Sequence, residues 1–276
     1  MATGTIAIGS ITAISEIFIS KSIDSFLPPA SQVNRFSRPG TIELFTSKGD
    51  IIQKLGPIPR EKISSGEMPE LIKKAFIAAE DRRFYNHKGV DLLSISRAIS
   101  KNLKQRSVVE GGSTITQQLA RMIFLTQDRT LKRKLKEIAL AFKLERELSK
   151  EQILEQYLNN VYLGSNAYGV SDAAWIYFRK TPSRLTLAEA ALIAGLAPAP
   201  SLYSPLVNSN LALQSRATVL QKMRVEQYIS DSELSIALES SLDLHPSAPK
   251  YLKSKAPFFT SYIEQKLPQQ YFRQDK

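Results

Sequence analysis

From Pro69 almost to its end the chain repeats apolar residues three and four apart, the spacing that gathers them on one face of a helix. Leu71, Ala75, Ala78 and Ala79 mark one helix, Leu92, Ile95, Ile99 and Leu103 a second, and Ile115, Leu119 and Ile123 a third. Leu131, Leu135, Ile138 and Phe142 continue the spacing, and further helices are expected over Ile153–Val161, Leu187–Leu196, Leu211–Val225 and Ser232–Leu238. Ahead of them, Thr41–Thr46 and Ile51-Ile52 alternate around Lys48-Gly49-Asp50, which predicts a small hairpin. Residues 1–20 form a separate apolar stretch with Glu16 inside it and no basic residue before Lys21. Its roughly 16 apolar-biased positions make about 24 Å of helix, short of the ~30 Å hydrocarbon layer, and no basic segment opens it as in a secretory signal. It reads as a partial membrane anchor within 1–27 or a buried or interfacial helix. No repeat and no strand–helix alternation appears; the body is mainly α, around one extended core.

Composition narrows the chemistry. The 276 residues are 43% hydrophobic, enough for one large domain or two small ones, and global disorder is excluded. There is no cysteine, hence no disulfide, thiolate metal site or cysteine nucleophile, and only two histidines, His87 and His245. Catalysis must lean on carboxylates, hydroxyls, Lys and Arg. The net charge is +11, and the segment from Lys73 to Glu147 alone holds 17 Lys and Arg against 8 Asp and Glu. So concentrated a charge implies an anionic partner: nucleic acid, an acidic membrane or a phosphorylated substrate. Few aromatics interleave the basic run and no nucleic-acid-binding motif is evident, so nucleic acid is not expected.

Three constellations lie in this segment. Glu80-Asp81 closes the apolar Ala75–Ala79 helix; there the negative end of the helix dipole raises a carboxylate toward the range of a general base or acid, although a helix-end salt bridge to Arg82 or Arg83 gives the same pattern. Glu110-Gly-Gly-Ser113-Thr-Ile-Thr-Gln117-Gln118 leads two glycines into a capped helix start, with Thr114 and Gln117 at capping-box spacing and Arg121 one turn beyond Gln117. It is either an anion site or simply a well-capped turn. Arg129, Arg133 and Glu137 fall four apart with Lys134 beside them, either an ion-pair ladder or a second acid among cations that grip a diphosphate. In this order the three fit transfer of a sugar from a diphosphate donor.

At Glu80-Asp-Arg-Arg-Phe84-Tyr-Asn-His-Lys-Gly89 and Gly111-Gly-Ser-Thr-Ile-Thr-Gln-Gln118 the chain resembles the peptidoglycan glycosyltransferase domain of class A penicillin-binding proteins and monofunctional transglycosylases, glycosyltransferase family 51. Arg133–Glu137, Ile153–Gly164, Leu187–Gly195 and Tyr203-Ser-Pro205 continue the match in order. The resemblance implies a lysozyme-like, mainly helical fold with a large lobe, a smaller membrane-associated jaw including Leu92–Val109, and the small hairpin; by pattern alone Leu92–Val109 also reads as an ordinary amphipathic core helix. It implies a glycosyltransferase domain over 69–250, preceded by a linker and hairpin over 28–68.

The implied reaction is polymerisation of lipid II into glycan strands on the outer face of the cytoplasmic membrane, with inversion at the anomeric carbon. By position Glu80 is the base on the acceptor 4-hydroxyl and Glu137 the second acid, at the donor diphosphate. Asp81, Phe84, Ser113, Gln117, Gln118, Arg121, Arg129, Arg133 and Lys134 match substrate-contacting positions. Lipid II, the growing strand, the membrane surface and moenomycin-type inhibitors are the implied partners. No cofactor is required; a divalent Mg or Mn ion beside Glu137 is compatible with the resemblance but not demanded by spacing.

Arg121 stands where the family usually has Lys, Met122 where Asn is common and Asn166 where Gly is usual. The one Ser-x-x-Lys tetrad, Ser247-Ala-Pro-Lys250, has a proline inside it, so no transpeptidase nucleophile is expected there. Residues 251–276 look like the extension that leads toward such a domain. Two other readings stand beside the polymerase: a lysozyme-like glycan-cleaving enzyme and a non-catalytic membrane scaffold.

Overall fold

The computed structural model describes residues 27–33, 36, 42–55, 62–105, 112–126, 128, 130–247 and 256–266. The hairpin forms as expected: β1 (Ile42–Phe45) pairs antiparallel with β2 (Ile51–Leu55), with Gly49 at φ +87° in the connecting turn. The rest is helical. In chain order the helices are α1 (Glu70–Glu80), α2 (Leu92–Gln105), α3 (Ile115–Phe124), α4 (Leu131–Glu147), α5 (Lys150–Asn160), α6 (Val170–Phe178), α7 (Leu187–Leu196), the single turn α8 (Pro200–Tyr203), α9 (Ser209–Val225), α10 (Asp231–Glu239) and α11 (Pro257–Lys266).

The core is built on α7, opened by a capping box between Thr186 and Glu189 and buried at every residue from Ala188 to Leu196. Its run of alanines lets α1 and α9 pack close on either side. α1 turns Ile72, Ala75, Phe76, Ile77 and Ala78 inward, and α9 contributes Ala212, Val219, Leu220 and Met223. Arg216 of α9 is buried among them because it donates to the carbonyls of Leu238 and Ser240, at 3.0 and 2.8 Å, and so closes the open end of α10. α3 lies across α4 and α5 and completes the enclosure.

Two differences from the sequence pattern have clear causes. α6 was not legible, because its residues are buried nearly all round and leave no polar face to set a period. On α4 the apolar spacing points the wrong way: Leu131 and Leu135 are 86% and 68% exposed, while Glu137, Leu140, Ala141 and Leu144 face inward. Among the described residues no helix is long and apolar enough to cross a membrane; the apolar stretch over 1–20 lies outside them.

The loop after α5 accounts for one family departure. Ala167 N–H closes on the Gly164 carbonyl at 2.7 Å, with Ser165 and Asn166 both left-handed at φ 48° and 61°, a turn that brings Tyr162 beside Tyr168. Glycine is usual at such a position for want of a Cβ, and asparagine is the side chain that tolerates it best. Asn166→Ala is expected to lower stability by about 1 kcal/mol and Asn166→Gly to leave it unchanged or slightly raised, read by thermal melts.

Candidate active site

Glu80 is the last residue of α1, and the partners of its side chain come from other helices. Its Oε2 accepts a hydrogen bond from Gln118 Nε2 of α3 at 2.7 Å, and Gln118 Oε1 in turn accepts from the buried Tyr157 hydroxyl of α5 at 3.1 Å. Tyr157 therefore sets which end of the Gln118 amide faces the carboxylate. Burial pushes Glu80 above the usual carboxylate range; the Gln118 bond, Lys222 and Arg121 pull it back, and neighbouring Asp81 adds to the rise. The direction agrees with the sequence argument, but desolvation rather than the helix end is the leading cause. Burial also raises the Tyr157 hydroxyl well above its ordinary value, so it remains a donor.

The residues after Glu80 fasten α1 to α3. Asp81 Oδ2 accepts the backbone N–H of Ile115 at 2.9 Å, satisfying one of the free donors at the start of α3. It also receives His87 Nε2 at 2.9 Å, while His87 Nδ1 accepts from Gly89 N–H at 3.2 Å, which places the ring proton on Nε2. Thr114 caps α3 in a box with Gln117 and donates to the Gly89 carbonyl at 2.6 Å. Gly89 has φ +92°, and a Cβ there would lie 2.9 Å from the carbonyl carbon and oxygen of Ala141 on α4. Gly89→Ala is expected to cost about 2–4 kcal/mol in thermal unfolding, because it strains the backbone and drives α4 from the first motif.

On the far side of this turn, Ser113 Oγ accepts from Lys134 Nζ at 2.9 Å. Lys134 Nζ also pairs with Glu137 Oε1, and Arg133 Nη1 pairs with Glu137 Oε2. Glu137 is wholly buried; Arg133 and Lys134 keep part of their surface. One stretch, Ser113 to Gln118, thus joins the Glu80 carboxylate to a cationic group held by a buried acid. A divalent ion beside Glu137 would have to displace one of these two cations. Both oxygens are already taken by cations, and among the described residues no group of three or more His, Asp or Glu is placed to hold a metal.

Of the residues expected to touch substrate, Ser113, Gln118, Arg121, Arg133 and Lys134 are partly exposed around this turn. Three differ. Phe84 is buried in the core, edge-on to Tyr85 and His87 under Lys150 Nζ, because it anchors the first motif beneath the site. Asp81 is buried and committed to His87 and Ile115. Gln117 is buried as the partner of Thr114 in the capping box of α3, although its Nε2 has no partner among the described residues. Arg129 lies outside the described residues, as do Arg106–Val109 at the end of the expected jaw. The sequence motifs mark no role for Tyr157, although it lies within Ile153–Gly164, and none for Lys222, whose Nζ donates to the Ala79 carbonyl at 2.6 Å. No local signal marks Lys222, since only the packing of α9 on α1 brings it there.

A family model described as Transglycosylase matches residues 48–224. Penicillin-binding protein 1F of Bacillus subtilis is 42% identical over 222 residues, 80% of this chain and 30% of that protein. Penicillin-binding protein 1A of Aquifex aeolicus is 44% identical over 216 residues, 78% of this chain and 30% of the relative. The Escherichia coli protein of the same name is 42% identical over 230 residues, 83% and 27%. The chain thus spans less than a third of the length of these relatives. The crystal structure of penicillin-binding protein 1A from Haemophilus influenzae aligns over 87% of this chain and 26% of that chain, at 22% identity and a TM-score of 0.47.

Proposed function

The chain belongs to the transglycosylase family, glycosyltransferase family 51, and on that premise we propose that it polymerises lipid II into glycan strands. The observation that carries the reading is the pairing, through one turn, of a carboxylate raised by burial with a cationic cluster. Glu80 takes the proton of the acceptor sugar's 4-hydroxyl as that oxygen attacks the donor's anomeric carbon from the face opposite the diphosphate. The bond from that carbon to the diphosphate oxygen breaks, the configuration inverts, and the lipid diphosphate leaves with its electron pair. Lys134 and Arg133 neutralise the charge that builds on it, helped by Arg121. Glu137 acts through them, since its own oxygens are already engaged.

A lipid-linked substrate asks for contact with a bilayer. Leu131 and Leu135 share the outer face of α4 with exposed Lys132 and Lys136, and Leu92 and Leu93 are exposed at the start of α2. Apolar side chains flanked by lysines suit the headgroup region of an anionic leaflet. The reading therefore places the protein at the outer face of the cytoplasmic membrane. Incubating the chain with labelled lipid II in bilayers is expected to give a polymer ladder on gels that moenomycin suppresses. Release of soluble fragments from purified glycan, with no ladder, would replace the polymerase with a glycan-cleaving enzyme. Absence of both, in folded protein, would leave a scaffold.

A further inference from the structure

Lys222 lies on α9, beyond the last of the sequence motifs. Its Nζ donates to the carbonyl of Ala79 at 2.6 Å, the residue immediately before Glu80. That carbonyl belongs to the last turn of α1, where the helix leaves its acceptors open and its dipole is negative. Four residues on, just past the end of α9, Glu226 meets Arg82 at 3.9 Å, so the same two segments are tied a second time. The core contacts between α9 and α1 hold the helices together independently of either tie. Lys222 is itself exposed and adds little packing. What it brings is a positive charge at the end of the helix that presents the carboxylate.

From this juxtaposition we propose that Lys222 is a positioning residue for Glu80: its ammonium ties down the end of α1 and supplies the charge that keeps the carboxylate ionised and ready to accept a proton. The inference rests on the reading of Glu80 as the base. The groups facing that carboxylate are Asp81 beside it, Gln118 and Arg121 from α3, Tyr157 from α5 and Lys222 from α9. Burial and Asp81 favour the protonated form. Gln118 and the two cations oppose them, and of the cations Lys222 has the larger influence. Arg121, on the face expected to meet substrate, is the less constant of the two, since a bound diphosphate would compensate its charge. Lys222 is bonded to a backbone carbonyl.

Lys222→Met and Lys222→Arg in the full chain test the proposal. Titrating the glutamate carboxyls by carbon-13 NMR, with the Glu80 signal assigned by its loss in Glu80→Gln, is expected to show its midpoint moved up in Lys222→Met and restored in Lys222→Arg. In lipid II polymerisation the Met variant should lose about three- to tenfold on the acidic flank of the pH profile and far less on the alkaline side, while the Arg variant stays within about twofold throughout. An unmoved Glu80 midpoint in Lys222→Met overturns the proposal, whether or not the rate falls, as does a midpoint in Lys222→Arg displaced as far as in the Met variant. The titration needs no turnover. Failure of the wild-type chain to polymerise lipid II would sink the base assignment while still leaving the influence of Lys222 decided.

Discussion

Glu80→Gln is expected to abolish lipid II polymerisation, by on the order of 10²–10⁴-fold or more, in a protein that melts no lower than wild type at neutral pH. The two halves of this result have one cause. Folding raises Glu80 above its unfolded value, chiefly through burial, so the folded protein favours the protonated acid. Its contribution to stability is full below the ordinary carboxylate range and is lost as pH rises through the raised folded value. Above that value the native state keeps an ionised carboxylate in a poorly hydrated place, at a cost in stability. The neutral amide keeps an oxygen for Gln118 and removes that cost. The stability gain of the variant should therefore be largest at neutral pH and shrink as pH falls through the two values. Polymer formed at near wild-type rate would refute the base assignment, and a lower melting temperature at every pH would show that Glu80 is a packing residue.

Glu137→Gln should damage both stability and turnover. Removing one partner of a buried ion pair costs about 3–5 kcal/mol when the other charge is left enclosed. Here Arg133 and Lys134 are 15% and 35% exposed and can partly rehydrate, so about 2–3 kcal/mol is expected, a fall in melting temperature of roughly 5–10 °C. Polymerisation should fall about 10²-fold, since the cations that would meet the leaving diphosphate lose their anchor. A double-mutant cycle separates acting through Lys134 from acting directly. If Glu137 works by holding Lys134, then Lys134→Met combined with Glu137→Gln should be little worse than either alone. Fully additive losses in kcat/KM would instead make Glu137 an acid in its own right at the donor.

Much of this molecule was legible before any coordinates. Where a helix has one wet and one dry face, as in α1, α3 and α9, the period showed it, and the hairpin was marked by Gly49 and its alternating flanks. The order Glu80, Ser113–Gln118, Arg133–Glu137 was enough to name a reaction class, because side-chain type and spacing along the chain are local properties. Helix α6 was not legible, since a segment buried nearly all round has no period to read. On α4 the pattern misled: Leu131 and Leu135 keep the helical spacing but are exposed, and only packing separates an exposed apolar position from a core one.

The same division runs through the site. By itself the sequence determined which carboxylates, amides and cations the chain carries and in what order. Tertiary structure alone decided that Phe84, Asp81 and Gln117 turn inward as supports, that Tyr157 orients Gln118 toward Glu80, and that Lys222 reaches the end of α1 from a helix more than 140 residues away. Burial and charge contacts between distant segments set the protonation of a carboxylate, and those arise only once α1, α3, α5 and α9 have closed around it.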